Sequence, residues 1–353
     1  MKILFISRAY PPVVGGIEKL NFEISHALTE FADIKVIANT QGKSALPFFL
    51  FYSFIKALFI ARKYDVILLG DGVLGLSGWL LKVLTRKPVV SIIVGLDVTF
   101  RNSFYQRLWV KFALKRLDSL FACSNETIHQ AVIHGIDKKS CVFIPLGVNL
   151  FNVTMSQTEA RNLLNLQSEK KYLLTIGRLV KRKGVSWFVR EVMNKLDNNV
   201  IYLIAGDGSD RLDIEKSIVA SGLQDRVMLL GSVSDEQKVA LFQAADIFVQ
   251  PNIPIAGDME GFGLVVLEAG AAGLPIVASK LEGLCDAIKH GENGLLVNPE
   301  KSIDYAKVLS ALLDDDKLRQ DLSTKTKRYI ETKCLWSHVA QQYYTELATI
   351  LRA

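Results

Sequence analysis

The stretch "KYLLTIGRLVKRKG", residues 171–184, joins a run of apolar residues, Tyr172 to Ile176, to a glycine and then to four cations, Arg178, Lys181, Arg182 and Lys183. An apolar run of this length reads as a strand buried on both faces, as in a parallel sheet covered by helices. The charges then stand at its carboxyl end, where open α/β sheets bind ligands. The residues before it, "TMSQTEARNLLNLQSEK" at 154–170, are polar, so the strand restarts a pattern. Upstream the same alternation with helical segments carries "KILFIS", "IKVIA", "DVILLG", "PVVSIIVG", "SLFACS" and "CVFIPLG". Downstream come "VIYLIAG", "VMLLG", "IFVQP" and "PIVAS". Two doubly wound α/β units are expected, meeting near Asn149. The final "WSHVAQQYYTELATILRA" is a helix with no strand after it.

The whole chain is consistent with this reading. At 353 residues, half of them hydrophobic and 22% charged, it is long enough for two cores and too apolar for disorder. "MKILFIS" suits a first buried strand better than a signal peptide, which makes a cytoplasmic location the expectation. Cys123, Cys141, Cys285 and Cys334 show neither a CxxC pair nor a histidine at ligand spacing, so a zinc site or a disulfide framework is not indicated. The net charge of +6 divides into +8 for residues 1–150 and −2 for the remainder. That asymmetry suits nucleic acid or an anionic membrane, and no zinc-finger or RNP-like pattern supports the former.

Two segments of the basic half have two readings each. Residues 46–61, "LPFFLFYSFIKALFIA", are aromatic and apolar, and their number falls short of the roughly 20 needed to span a bilayer of about 30 Å. They form either a helix lying on a membrane surface or an ordinary core helix. Residues 101–118 place Arg107, Lys111 and Lys115 at intervals of four beside Phe104, Leu108 and Phe112, which is a basic amphipathic helix for a membrane surface or for the sheet.

The acidic candidates lie in "EGFGLVVLE", residues 260–268. Gly261 and Gly263 allow close backbone approach where a helix starts, and the first amides of a helix bind phosphate. Glu260 precedes the helix and Glu268 lies about two turns along it. The alternatives are a first-turn acid for Glu260 and a structural hydrogen bond for Glu268. The basic loop at 177–184 suits a diphosphate leaving group, or is simply solvated. "PPVVGGIE" sets Gly15 and Gly16 at a helix entry, and "GDGSDR" sets Gly206 and Gly208 after a strand. Neither completes G-x-G-x-x-G, which argues against a dinucleotide oxidoreductase.

The ordered set "GGIE", "SNET", "IPLGVN", "GRLVKRKG", "AGDGSDR", "LLGSVSDEQ", "EGFGLVVLEAGAAGLPIVAS" and "GENGLLV" resembles the retaining glycosyltransferases of family 4, with GT-B architecture. The resemblance runs through nearly all the chain. It implies two Rossmann-like domains facing a central cleft: residues 1–148 for the acceptor and 149–336 for the nucleotide sugar, with the helix at about 337–353 packed back on the first. It implies that Glu260 contacts the donor sugar, that Glu268 contacts the ribose, and that Arg178 and Lys183 neutralise the diphosphate. Gly16 matches the first-domain loop facing the donor, and Val233 and Lys238 fall beside the base. Gly15, Gly206, Gly261, Phe262, Gly263 and Leu264 complete the expected donor-binding set. One departure is Val94, where many relatives carry a histidine; Asp97 is the candidate to position the acceptor or reacting sugar, or is a turn aspartate.

The expected activity is transfer of a sugar from a nucleotide diphosphate to an acceptor hydroxyl with retention, in cell-envelope glycan or glycolipid synthesis. No cofactor or metal is expected. Expected partners are the nucleotide sugar, a glycan or lipid-linked acceptor and the inner face of an anionic membrane, but no nucleic acid. The alternatives are a catalytically impaired donor-binding protein, which Val94 favours, and a GT-B epimerase or hydrolase.

Overall fold

The computed structural model describes residues 1–151 and 155–352. Thr154, at the head of the polar stretch between the units, and Ala353, at the end of the expected last helix, lie outside the described residues. Two compact units result. The first is Met1–Gly147 with the last helix, Trp336–Arg352; the second is Val148–Leu335.

The first unit has six strands: β1 Lys2–Ser7, β2 Asp33–Ala38, β3 Val66–Leu69, β4 Val89–Ile93, β5 Ser119–Ala122 and β6 Cys141–Phe143. Their order is β2-β1-β3-β4-β5-β6, and each pairing is parallel. β3, β4 and β5 are buried along their whole length, which is why their sequences are continuous apolar runs. The edge strand β2 keeps polar, partly exposed positions. The chain leaves β1 first towards β2 and later towards β3, so the switch point lies at the carboxyl ends of β1 and β3. Right-handed crossovers put α1, Gly16–Ala27, on one face of the sheet and α2, Leu46–Ile60, and α3, Gly75–Thr85, on the other. Phe49 and Ala57 of α2 and Leu81 of α3 join β3 and β4 in one core cluster. The last helix buries Val339, Tyr343 and Leu347, and the Tyr343 ring meets Phe121 of β5 edge-on at 5.4 Å.

The second unit repeats the plan: β7 Lys171–Ile176, β8 Val200–Ala205, β9 Val227–Gly231, β10 Ile247–Gln250, β11 Ile276–Ser279 and β12 Leu295–Val297, in the order β12-β11-β10-β7-β8-β9. All pairings are again parallel. Sequence patterning does not single out β12. It is three residues long, and it is defined by its register with Val277–Ser279 rather than by any period of its own. Phe188, Tyr202 and Tyr305 anchor the core, and the Tyr202 hydroxyl is satisfied by Thr175 Oγ1 at 2.6 Å.

Two expectations for the first unit change. The apolar segment at 46–61 extends at both ends into one helical run, Lys43–Lys63, whose 21 residues are long and apolar enough to cross a membrane by length and composition. The basic segment at 101–118 is not one regular α-helix. It begins as a short turn at Ser103–Tyr105, widens to a π-helix at Gln106–Ala113 and tightens at Leu114–Arg116.

Candidate functional site

The carboxyl ends of β7 and β10 bring two loops together. After β7, Gly177 leads to Arg178 and to the short turn Lys181–Lys183, which Gly184 closes at φ +66°. A Cβ at Gly184 would strike the Pro251 carbonyl, so the loop can lie against the end of β10 because this residue has no side chain. Ile253 N–H donates to the Arg182 carbonyl at 2.9 Å and ties the loops. Gly206, at φ +130° after β8, is pressed against Gly177 in the same way.

This approach puts Glu260 among cations. Its Oε2 meets Lys183 Nζ and Arg182 Nη1, each at 2.5 Å, and accepts from Asn252 Nδ2 at 3.0 Å. Arg182 also reaches Asp258 Oδ1 through Nε at 3.1 Å, and Gln250 Nε2 donates to Asn252 Oδ1 at 2.6 Å. Glu260, Arg182 and Lys183 are all buried. Burial alone would raise the Glu260 carboxyl, but Lys183 and Arg182 together outweigh it and hold the group at about 2. Burial lowers the Lys183 ammonium, with Arg182 and Arg178 adding repulsion against the attraction of Glu260. A carboxylate at about 2 is ionised at neutral pH. Of the two cations assigned to the diphosphate, Arg178 stays exposed while Lys183 is in the ionic cluster; the residue beside Lys183 on Glu260 is Arg182, which the sequence offers only as one of four loop cations with no separate role.

Glu268 lies on the helix Leu264–Ala271, which starts at Gly263, φ +84°. Its buried carboxylate takes Lys238 Nζ at 3.5 Å from both oxygens, so the acid among four apolar residues has a cationic partner from another helix. Lys238 is carried by Asp235–Ala244, whose start is capped by Ser234 and Gln237 immediately after Val233. Phe262 is buried beside Gly261, and Gly261 lies against Gly283. Glu282 carries no signal in the sequence that marks it for the site. Held at φ +48°, its carboxylate accepts the Glu260 N–H at 2.5 Å, while Gly283 N–H donates to the Glu260 carbonyl at 3.2 Å.

Gly15, Gly16 and Asp97 belong to the first unit. Gly16 opens α1 with open space around its α-carbon, and Gly15 precedes it under the Glu18 side chain. Asp97 is buried and turned inward: Oδ2 accepts from Gly72 N–H at 2.9 Å and Oδ1 from Gly95 N–H at 2.9 Å, with Val94 N–H shared between the two oxygens. Burial raises its pKa against these amide bonds. The carboxylate thereby fixes the loop containing Val94. Neighbouring Asp71 is fully buried, pushed by burial up to about 7 although Arg8 stands 2.6 Å away. Among the described residues, no group of three or more His, Cys, Asp or Glu is arranged to hold a metal ion.

A basic loop facing buried acids at the strand ends of a doubly wound unit suits the binding of a phosphorylated donor. Residues 156–329, most of the second unit, match the family model of the glycosyl transferases group 1. That match and the fold make the chain a glycosyltransferase of GT-B architecture. It is 26% identical to an uncharacterized glycosyltransferase of Methanocaldococcus jannaschii, over 97% of this chain and 96% of the relative. It is 30% identical to the D-inositol 3-phosphate glycosyltransferase of Corynebacterium diphtheriae, over 74% of this chain and 65% of that one. The fold agrees with Anabaena HepE, solved in complex with UDP-glucose, at a TM-score of 0.80 and 21% identity, over 99% and 100% of the two chains.

Proposed function

We propose that the protein transfers a hexose or related sugar from a nucleotide diphosphate to an acceptor hydroxyl with retention of anomeric configuration. The observation that carries this reading is Glu260 held ionised by Lys183 and Arg182 at the ends of β7 and β10. The HepE complex with UDP-glucose supports the donor class. In this reaction the bond from the anomeric carbon to the phosphate oxygen breaks, and the acceptor oxygen bonds the same face. The acceptor proton passes to the departing phosphate, giving a glycoside and a nucleoside diphosphate.

In this reading Lys183 and Arg178 stabilise the charge that grows on the diphosphate, Glu260 orients the donor sugar, and Glu268 accepts from the ribose. Arg182 keeps Glu260 ionised and in place. Asp97 acts through the loop containing Val94 rather than by touching the reacting atoms. The basic groups take the part that a divalent cation plays elsewhere, so turnover is expected to survive chelation. The acceptor belongs to cell-envelope glycan or glycolipid synthesis.

The test is nucleotide release from UDP- and GDP-sugars with an acceptor panel, together with NMR of the product anomer. Lys183→Ala should lower turnover roughly 100-fold, as expected for removal of one charge-stabilising donor. Glu268→Gln should raise KM for the donor, whereas Glu260→Gln should lower kcat. Normal turnover in Lys183→Ala, or an inverted product, overturns the reading.

A further inference from the structure

The helical run Lys43–Lys63 has two faces. Phe49, Ser53 and Ala57, four residues apart, are buried against the sheet. The other face shows Phe48, Phe51 and Phe59 to solvent at 72%, 69% and 79% exposure. Tyr52 stacks on Phe48, and Lys56 reaches over the Tyr52 ring to its hydroxyl at 2.8 Å. Only 22% of the most apolar window is buried. Lys43 begins the run, and Arg62 and Lys63 end it. Phenylalanines this exposed are an unfavourable surface in water, and contiguous apolar exposure marks an interaction site.

The neighbouring surface supplies positive charge. α2, α3 and the π-helix Gln106–Ala113 bury side chains in the same core cluster and so cover the same face of the sheet. Trp79 of α3 meets Phe112 of the π-helix edge-on at 4.7 Å. α3 exposes Val83 and Leu84, and Phe104 is exposed just before the π-helix. A cavity of about 500 Å³ opens beside it, lined by Arg101, Arg107, Lys111 and His134 and by no carboxylate. Across residues 40–117 there are twelve Lys and Arg against three acids, of which Asp71 and Asp97 are buried.

We propose that this face of the first unit docks on an anionic lipid bilayer. The outward phenylalanines of α2 enter the boundary between headgroups and acyl chains, and Arg101, Arg107 and Lys111 hold lipid phosphates. Aromatic side chains framed by cations suit that boundary. The sign and density of charge select an acidic bilayer over a neutral one. The helix is long enough to cross a membrane, but a crossing would pull Phe49 and Ala57 out of the core cluster, so it lies in the interface plane. The proposal goes beyond the transfer reaction and is tested without it.

The test is co-sedimentation of the full chain with vesicles of phosphatidylcholine alone or mixed with phosphatidylglycerol. Binding is expected to the anionic vesicles at low salt, weakened at 0.5 M salt and released by alkaline carbonate. Phe48→Ser, Phe51→Ser, Phe59→Ser in combination should reduce it at least tenfold with unchanged circular dichroism and melting. Arg107→Glu with Lys111→Glu should do the same on anionic vesicles. The proposal is overturned if the parent ignores anionic vesicles at low salt, or if the triple variant binds like the parent. It is overturned equally by carbonate-resistant retention, which means a crossing helix, or by a dimer in light scattering that the triple variant abolishes, which means that a second copy covers the face.

Discussion

Glu282 shows how one side chain sets the geometry of another. It occupies the left-handed region at φ +48°, where a residue with a Cβ is strained, and its carboxylate accepts the N–H of Glu260. Glu282→Gly separates the two effects. Relief of backbone strain should return about 1 kcal/mol, and loss of one hydrogen bond should cost about as much. The melting temperature is therefore expected to stay nearly constant while kcat falls several-fold, because the Glu260 backbone loses an anchor. A matching loss of stability and activity would make Glu282 merely structural. Legibility in the sequence is uneven at this scale. Glu260 and Glu268 stand out because they are acids in an apolar stretch, whereas Glu282 and Arg182 look like ordinary polar loop residues until their partners are known. Asp97 was visible as an acid near Val94, but that three backbone amides occupy it depends on how the loop folds back.

At the scale of elements, the ends of β7 and β10 depend on close backbone approach. Gly184 combines φ +66° with a Cβ direction blocked by the Pro251 carbonyl. Gly184→Ala is expected to destabilise the second unit by about 2 kcal/mol, from left-handed strain plus displacement of the loop. It should also weaken donor binding by moving Lys183. Calorimetry together with donor titration checks this, and an unperturbed transition would mean that the loop shifts freely. The same scale explains the composite helix at 103–116. Three cations at intervals of four residues suggest regular α-winding, but the structure widens it to a π-helix between Gln106 and Ala113, where Trp109 Nε1 donates to the Val73 carbonyl at 2.9 Å. A bond to a residue that distant in sequence leaves no mark on local periodicity.

At the scale of the molecule, the two units should answer acid oppositely. Glu260 is depressed to about 2 from 4.5, so its contribution is fully present above 4.5 and is lost as pH falls towards 2. A shift of this size corresponds to about 3 kcal/mol. Asp71 is raised from 3.8 to about 7, so its protonated form favours the folded state. Its contribution is present below 3.8 and is lost as pH rises through 7. The melting transition of the first unit is expected to rise between pH 7 and 4, and that of the second to fall between pH 4.5 and 2. Scanning calorimetry with Asp71→Asn and Glu260→Gln assigns each limb. Parallel responses of both transitions would contradict the assignment.

The sequence by itself determined the alternation of strands and helices, because a strand buried on both faces must be an apolar run whatever surrounds it. It also determined the restart of the pattern at Lys171 and the two acids bracketing a glycine-led helix start. Only the tertiary structure decided that Arg182 joins Lys183 on Glu260, that Lys238 answers Glu268, and that β12 completes the second sheet. The contacts of Arg182 with Glu260 and of Lys238 with Glu268 join residues 78 and 30 positions apart, and β12 is placed by its register with β11, so none of them leaves a local period. The same holds for α2, whose composition is apolar on every side. Which of its phenylalanines face the core and which face outward was settled when the sheet took one stripe of the helix and left the other.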